Sequence, residues 1–370
     1  LLRKMSFLKS PPPLFSQNSA SASLLWFLFW LWSLRLCALA TVFLFLGVYV
    51  PKTLMKTGHD RDVAIYYTAL ERLERNKPIY QPRPDYGPHS KPTQYLYLPP
   101  ALAVITPLKT LEWLPFVRLW TLGLVAFFLG FAAILAWLAT RRIEWWSFIY
   151  ALAALWLFPG AARTFFLGQI EPILWFLFGL GIVQLVRGGA WAGLCFSLAS
   201  VVKIYSFWAV LALPRSMWKR QWPIAALVWG VALILGGVVC GFDQYAKWFE
   251  AVPPVMRQGT FNADNYSLSM GVLRVAQWLG WEYASGPLSG LPKLWLSASV
   301  ILGPLLMLWL TRNQTPALRC AVVGATASLF APICWSIYLP ALLCPLALWA
   351  YEKNLFAAST APQNGGASEA

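Results

Sequence analysis

The chain has 370 residues, of which 59% are hydrophobic and 12% charged, with a formal net charge of +15. Soluble domains carry about 25% charged residues, so half the usual polar surface is missing and a water-soluble globular protein is excluded. The cations are scattered between apolar runs and form no stripe, so they read as topology-setting Lys and Arg and not as a nucleic-acid surface.

Several runs exceed the ~20 apolar residues needed to cross a bilayer, which makes this a multi-pass, all-α membrane protein. Residues 1–23 are polar and basic (Arg3, Lys4, Lys9) and suit a cytoplasmic tail. Leu24 to Val50 is the first span; it is too long for a cleaved signal peptide and reads as an anchor. The N-terminal cations then place the following loop, residues 52–95, on the extracytoplasmic side.

That loop holds both histidines, His59 and His89, and the acids Asp60, Asp62, Glu71, Glu74 and Asp85. Val63, Tyr66, Tyr67, Leu70 and Leu73 recur at helical spacing opposite Glu71, Arg72, Glu74 and Arg75, which predicts a short helix lying on the membrane surface. Asp62 falls in its first turn, where a carboxylate is favoured by the helix dipole. Asp62 is a candidate general base with Asp60 as the fallback, and helix capping by either is the competing reading. His59 either tunes Asp62, steadies a phosphate, or is a solvated surface histidine. Asp60-Arg61-Asp62 resembles the Asp-x-Asp of soluble sugar transferases, but an extracytoplasmic loop has no nucleotide sugar to bind.

Further spans are predicted at Tyr95 to Thr110, Leu114 to Thr140, Trp145 to Pro159, Ile170 to Leu185, Trp191 to Leu213 and Trp222 to Cys240. Five crossings lead from the outer loop to the basic cluster Arg215, Lys219, Arg220, which is thereby cytoplasmic. The same count puts Arg141 and Arg142 outside and Gln169 inside, against the positive-inside rule. A second outer loop, residues 243–265, precedes a helix carrying Arg274. Leu294 to Leu310, Ala317 to Phe330 and Trp335 to Tyr351 complete about nine to eleven spans within residues 24–353, and 354–370 is expected to be a disordered tail.

An ionised side chain inside a membrane is a functional candidate by default. Lys203, in SLASVVKIYSFW, either neutralises a lipid phosphate or partners Glu171 or a backbone carbonyl. Asn265, Ser267 and Arg274 either line a polar cleft or cap a helix. The six cysteines show no Cys-x-x-Cys pair, and there is no Walker loop, dinucleotide fingerprint, nucleophile elbow or metal-spaced His pair. No cofactor or metal is called for.

Taken together these segments resemble glycosyltransferase family 87, the polyprenyl-phosphate-mannose-dependent α-1,2-mannosyltransferases of the C-type superfamily, over roughly residues 24–280. The carriers are Asp62-Val-Ala-Ile-Tyr66-Tyr67-Thr-Ala69, Pro78-Ile-Tyr80, Tyr97 with Pro99-Pro100 and Pro107-Leu108, Arg163 with Phe166-Leu-Gly168-Gln169, Ala192-Gly193 with Lys203-Ile-Tyr205, and Asn265-Tyr-Ser-Leu268 with Arg274. Ser206, Leu98 and Glu171-Pro172 depart from the family pattern, which bears on the sugar and the acceptor more than on the reaction class.

The resemblance implies a C-type membrane fold, an inverting transfer of a hexose from a polyprenyl-phosphate donor, and a glycolipid or glycan acceptor in the cell envelope. It implies a catalytic Asp in the first outer loop, matched best by Asp62, with Lys203, Arg163 and Gln169 serving the donor. Tyr66, His59, Asn265, Ser267 and Arg274 are grouped with them as substrate-binding candidates. The rival reading is a transporter using Lys203 and Glu171 as pathway charges; it predicts internal repeats, and none is visible.

Overall fold

The structure is a computed structural model that describes residues 17–55, 62–80, 95–257, 265–281 and 290–353. His59, Asp60, His89, the N-terminal tail to residue 16 and the tail from 354 lie outside the described residues. Among the described residues the chain is helical, and its β pairing is one isolated bridge between Asn265 and Trp335. Among the described residues four helices are long and apolar enough to cross a membrane: Trp26–Met55, Trp113–Thr140, Arg215–Cys240 and Gly290–Leu310. A pair bent by 69°, Trp145–Leu157 with Ala161–Leu167, makes up to five. Five shorter apolar segments complete the bundle: Pro99–Leu108, Glu171–Val186, Ala192–Val202, Pro316–Phe330 and Ser336–Glu352. This is an all-α polytopic membrane protein in which the nine to eleven predicted spans correspond to helices of very unequal length.

Helix α1 (Gln17–Phe43) exposes Trp26, Phe27, Phe29, Trp30 and Trp32, as a lipid-facing anchor should. It continues through a π-helical turn, Leu44–Tyr49, into α2 (Val50–Met55). The wide turn coincides with Phe45 packed onto the rings of Phe128, Trp156 and Phe165 at 5.0, 4.4 and 5.4 Å, while the Tyr49 hydroxyl donates to the Ala162 carbonyl at 2.8 Å. Helix α3 (Val63–Glu74) buries Val63, Tyr66 and Leu70, the face its spacing predicts. That face is covered by protein, not by lipid. Tyr66 packs on Trp120, and Tyr67 on Trp113 and Phe116, of α5 (Trp113–Thr140).

Two predicted spans turn back instead of crossing. The segment around α4 (Pro99–Ile105) starts at Tyr97, which bonds to Tyr66, and ends before Trp113, which packs on Tyr67. Both its ends are therefore on the α3 side. The second is α9 (Ala192–Val202) with α10 (Phe207–Leu211), interrupted at Lys203. Its entry is held by Gln221, whose Oε1 accepts from the Gly193 amide at 2.8 Å. Its exit is held three residues earlier on the same helix, where Trp218 donates to the Leu213 carbonyl at 2.8 Å. Both anchors lie in the first turns of α11 (Arg215–Cys240), so Lys203 is the tip of a helical hairpin entering the bundle from the far side.

These two corrections remove the charge conflict. Helix α5 carries Arg141 and Arg142 to the end opposite α3, where Arg141 stacks on Trp137 and Tyr351 and Arg187 on Trp137. Helices α6 (Trp145–Leu157) and α7 (Ala161–Leu167) return to the α3 side, and α8 (Glu171–Val186) descends again. The bend between α6 and α7 depends on Gly160, at φ +88°, where an added Cβ would lie 2.1 Å from the Ser336 carbonyl oxygen. Residues 243–257, expected as loop, form the amphipathic helix α12 (Asp243–Arg257), with Trp248 donating to the Leu96 carbonyl at 3.0 Å and Val252 buried. Helices α13 (Leu268–Trp278), α14 (Gly290–Leu310), α15 (Pro316–Ala327) and α16 (Leu343–Glu352) close the bundle.

Candidate functional site

The residue preceding α3 is Asp62, yet its carboxylate makes no capping bond to the helix. The Gln169 side chain, 107 positions later, donates from Nε2 to Asp62 Oδ2. Gln169 is aimed there by Gly168, which ends α7 at φ +71°, a left-handed conformation that favours glycine. Trp120 donates to the Gly168 carbonyl at 2.8 Å and fixes this corner against α5.

On its other face, Gln169 Oε1 lies 3.1 Å from the Tyr66 hydroxyl and 3.2 Å from that of Tyr97, and the two hydroxyls are 2.9 Å apart. Three contacts share two hydroxyl protons, so one tyrosine donates to Gln169 and the other donates to the first. Burial pushes the hydroxyl pKa values of Tyr66 and Tyr97 well above the ordinary tyrosine range. The charges on Glu171 and Asp62 add to the shift at Tyr66. Both tyrosines therefore stay protonated as donors and hold the amide in the one orientation that presents its N–H₂ to Asp62.

Two residues beyond Gln169, Glu171 opens α8 and is fully buried. Its Oε1 pairs with Lys203 Nζ, whose side chain keeps 11% exposure. The lysine ammonium lies 5.3 Å from the Tyr97 ring centre and 4.3 Å from that of Tyr338, distances suited to cation–π attraction. Lys203 is extended (φ −136°, ψ 111°) at the break between α9 and the 3-10 turn Ile204–Ser206, so the hairpin tip presents the ammonium to these groups. Tyr97 thus touches both halves of the site. Its hydroxyl belongs to the Asp62–Gln169 network and its ring to the Lys203–Glu171 pair.

Of the sequence candidates, Asp62, Tyr66, Gln169 and Lys203 come together, and Arg163 is half-buried on α7 leading to Gln169. Asn265, Ser267 and Arg274 are bound into scaffold contacts. Asn265 is fully buried, donates to the Pro332 carbonyl at 3.0 Å and accepts from the Cys334 and Ser267 amides at 2.8 and 3.2 Å. Ser267 caps α13 by accepting from the Met270 amide, and Arg274 donates to the Asn265 carbonyl at 2.8 Å.

Tyr338 was not singled out from sequence. Its segment, Trp335 to Tyr351, reads as one more apolar span, in which Pro340 and Pro345 are the signals of a break. An apolar cavity of about 360 Å³ lined by Trp208, Leu211, Trp218, Trp222, Leu305 and Leu308 contains none of the polar groups of the site.

Comparison with known proteins gives one finding about relationship. The family model described as Glycosyltransferase family 87 matches residues 95–332, more than half of the chain. The matched stretch includes Tyr97, Arg163, Gln169, Glu171, Lys203 and Asn265, and begins after Asp62 and Tyr66. No curated protein and no solved structure matches.

Proposed function

This chain belongs to glycosyltransferase family 87 and is a membrane glycosyltransferase, and on that premise we propose that it moves a hexose, specifically mannose, from a polyprenyl-phosphate donor to a hydroxyl of a glycolipid or glycan. The transfer inverts the anomeric carbon and takes place on the extracytoplasmic face of the plasma (inner) membrane. The observation that carries this reading is the convergence around Gln169 and Tyr97 of a carboxylate, Asp62, which Gln169 contacts, and a cation at a helix break, Lys203, whose ammonium faces the Tyr97 ring.

In this mechanism Asp62 takes the proton of the acceptor hydroxyl as its oxygen attacks the anomeric carbon. The bond from that carbon to the phosphate oxygen breaks, and the electron pair leaves with the polyprenyl phosphate. The leaving group needs compensation of charge instead of protonation, which Lys203 supplies together with Arg163. The Gln169 amide orients Asp62 through the hydrogen bond from its Nε2. Orientation is supported by the cations Arg141, Arg142, Arg187 and the Arg215–Arg220 cluster at the end opposite Asp62, as the positive-inside rule asks of a cytoplasmic end. The transporter reading draws on the same Lys203–Glu171 pair; family membership speaks for the transferase.

The test is sugar transfer from radiolabelled polyprenyl phosphate mannose by membranes holding the wild type or Asp62→Asn, which keeps the size and cannot accept the proton. Transfer by the wild type and its loss, by about 10²-fold or more, in a normally inserted variant supports Asp62 as base. Transfer surviving in the variant moves the base to Asp60 or elsewhere.

A further inference from the structure

Among the described residues, Glu171 is the one charged group of this site that the mechanism above does not use. We propose that it is an exchangeable counter-ion, a positioning residue that holds Lys203 while the site is empty, yields it to the lipid phosphate, and reclaims it to expel the product. The inference rests on the placement of the lipid phosphate at Lys203 given above.

Four observations separate this from a purely structural ion pair. First, the pair is incomplete. Glu171 is fully buried, and while its Oε1 meets Lys203, its Oε2 is buried with no hydrogen-bond partner among the described residues. A permanent buried ion pair is tolerated when all lone pairs are satisfied, and an orphaned carboxylate oxygen is expensive. Second, the two partners are not equally enclosed. The carboxylate is fully buried and the lysine side chain keeps 11% exposure, so an anion reaching the pair from outside the protein meets the lysine first. Third, Lys203 sits on an extended residue at a hairpin tip and not within a helix, and its long side chain can swing without unwinding α9 or α10. Fourth, the rings of Tyr97 and Tyr338 flank the ammonium and stabilise it electrostatically whichever anion it faces.

The chemistry supplies the reason for such a device. The donor phosphate is a diester carrying one negative charge. Once the sugar has left, the product is a monoester able to carry two, so it binds a lone lysine more tightly than the donor did. A carboxylate fixed behind that lysine repels the more charged product more strongly and competes for the same ammonium. Glu171 therefore weakens both lipid phosphates and the product more, which favours turnover.

The experiment uses the full chain in lipid nanodiscs, titrated with a short-chain isoprenyl phosphate and followed by intrinsic tryptophan fluorescence, with the matching isoprenyl alcohol as control. Glu171→Gln, which keeps the shape and removes the competing charge, is expected to bind the phosphate about tenfold more tightly, with alcohol binding unchanged. In turnover the same variant lowers the donor KM and also lowers kcat, with stronger inhibition by the isoprenyl phosphate product. Glu171→Asp, whose shorter side chain withdraws the carboxylate, shifts binding in the same direction by less. Phosphate binding at or below the wild-type level in Glu171→Gln, with binding still weakened in Lys203→Gln, overturns the exchange and leaves the donor placement standing. Unchanged phosphate binding in Lys203→Gln overturns both. Failure of both Glu171 variants to fold, with Lys203→Gln folded, assigns the carboxylate a structural role and overturns the exchange.

Discussion

Gln169 is the residue whose replacement tests the site geometry most sharply, because its two ends do different work. Nε2 donates to Asp62, and Oε1 receives the tyrosine pair. Gln169→Glu preserves the acceptor side, so Tyr66 and Tyr97 keep their partner. It replaces the donor to Asp62 by a second anion. A hydrogen bond to a charged group contributes about 1.5–3 kcal/mol, and losing it while adding repulsion lowers transfer by at least about 10-fold and up to about 150-fold. The added negative charge also disfavours ionised Asp62, so its pKa rises. A base is active when deprotonated, so the acidic limb of the kcat/KM profile moves to higher pH. Gln169→Leu removes both ends and lowers the rate without adding a charge, so its acidic limb moves less. The assay is transfer from polyprenyl phosphate mannose across a pH series, with protein amount normalised by a tag. Wild-type rates in Gln169→Glu, or an acidic limb displaced to lower pH, would refute the assignment of Gln169 as the orienter of a basic Asp62.

Two further outcomes follow from the structure. Asn265→Leu keeps the branching of the side chain and strands the Pro332 carbonyl and the Cys334 amide, each worth about 1–3 kcal/mol when buried and unpaired; the thermal unfolding temperature in detergent is expected to fall by several degrees, while the donor KM of the surviving folded fraction is unchanged. An altered KM at normal stability would instead place Asn265 in the substrate cleft. Cysteines introduced at Lys77 and Lys219, both exposed and at opposite ends of the bundle, are expected to react with an impermeant maleimide from outside intact cells and only after permeabilisation, respectively. The reverse pattern would invert the orientation proposed for the site.

The parts of this protein legible in its sequence are those governed by local periodicity. The face of α3 follows from Val63, Tyr66 and Leu70 at helical spacing, and α5 from a long apolar run carrying a single charge, Arg118. The site itself was half legible. Asp62 and Lys203 stand out because charges are scarce in such a chain, but nothing local says that Gln169 reaches Asp62 across 107 positions or that Tyr338 faces Lys203. Asn265, Ser267 and Arg274 stood out as polar groups after the second outer loop; Asn265 and Ser267 donate to the Pro332 and Ala331 carbonyls of the 331–334 break, and Arg274 donates to the Asn265 carbonyl. Polarity in a membrane protein marks either chemistry or a backbone that needs partners, and the residue type does not distinguish the two.

Hydropathy counting went astray in an instructive way. It gave five crossings between the first loop and Arg215; the segments at α4 and α9–α10 turn back, leaving three, and because removing two crossings keeps the parity, Arg215 stays at the end opposite the first loop while Arg141 and Gln169 exchange ends. The reason is physical. Non-helical backbone at membrane depth is tolerated only where protein or a polar cavity covers it, so broken segments must gather where such cover exists. Here the break at Gly160 packs on the Ser336 carbonyl, and the one at Ala331–Cys334 is satisfied by Asn265 and Ser267. The one at Lys203 is flanked by Tyr97 and Tyr338. Each break borrows its partners from another broken segment. The places where the apolar pattern fails to make a clean span are thus the places that converge, and this convergence brings two carboxylates, an amide, three tyrosines and a lysine from sequence-distant segments into one site.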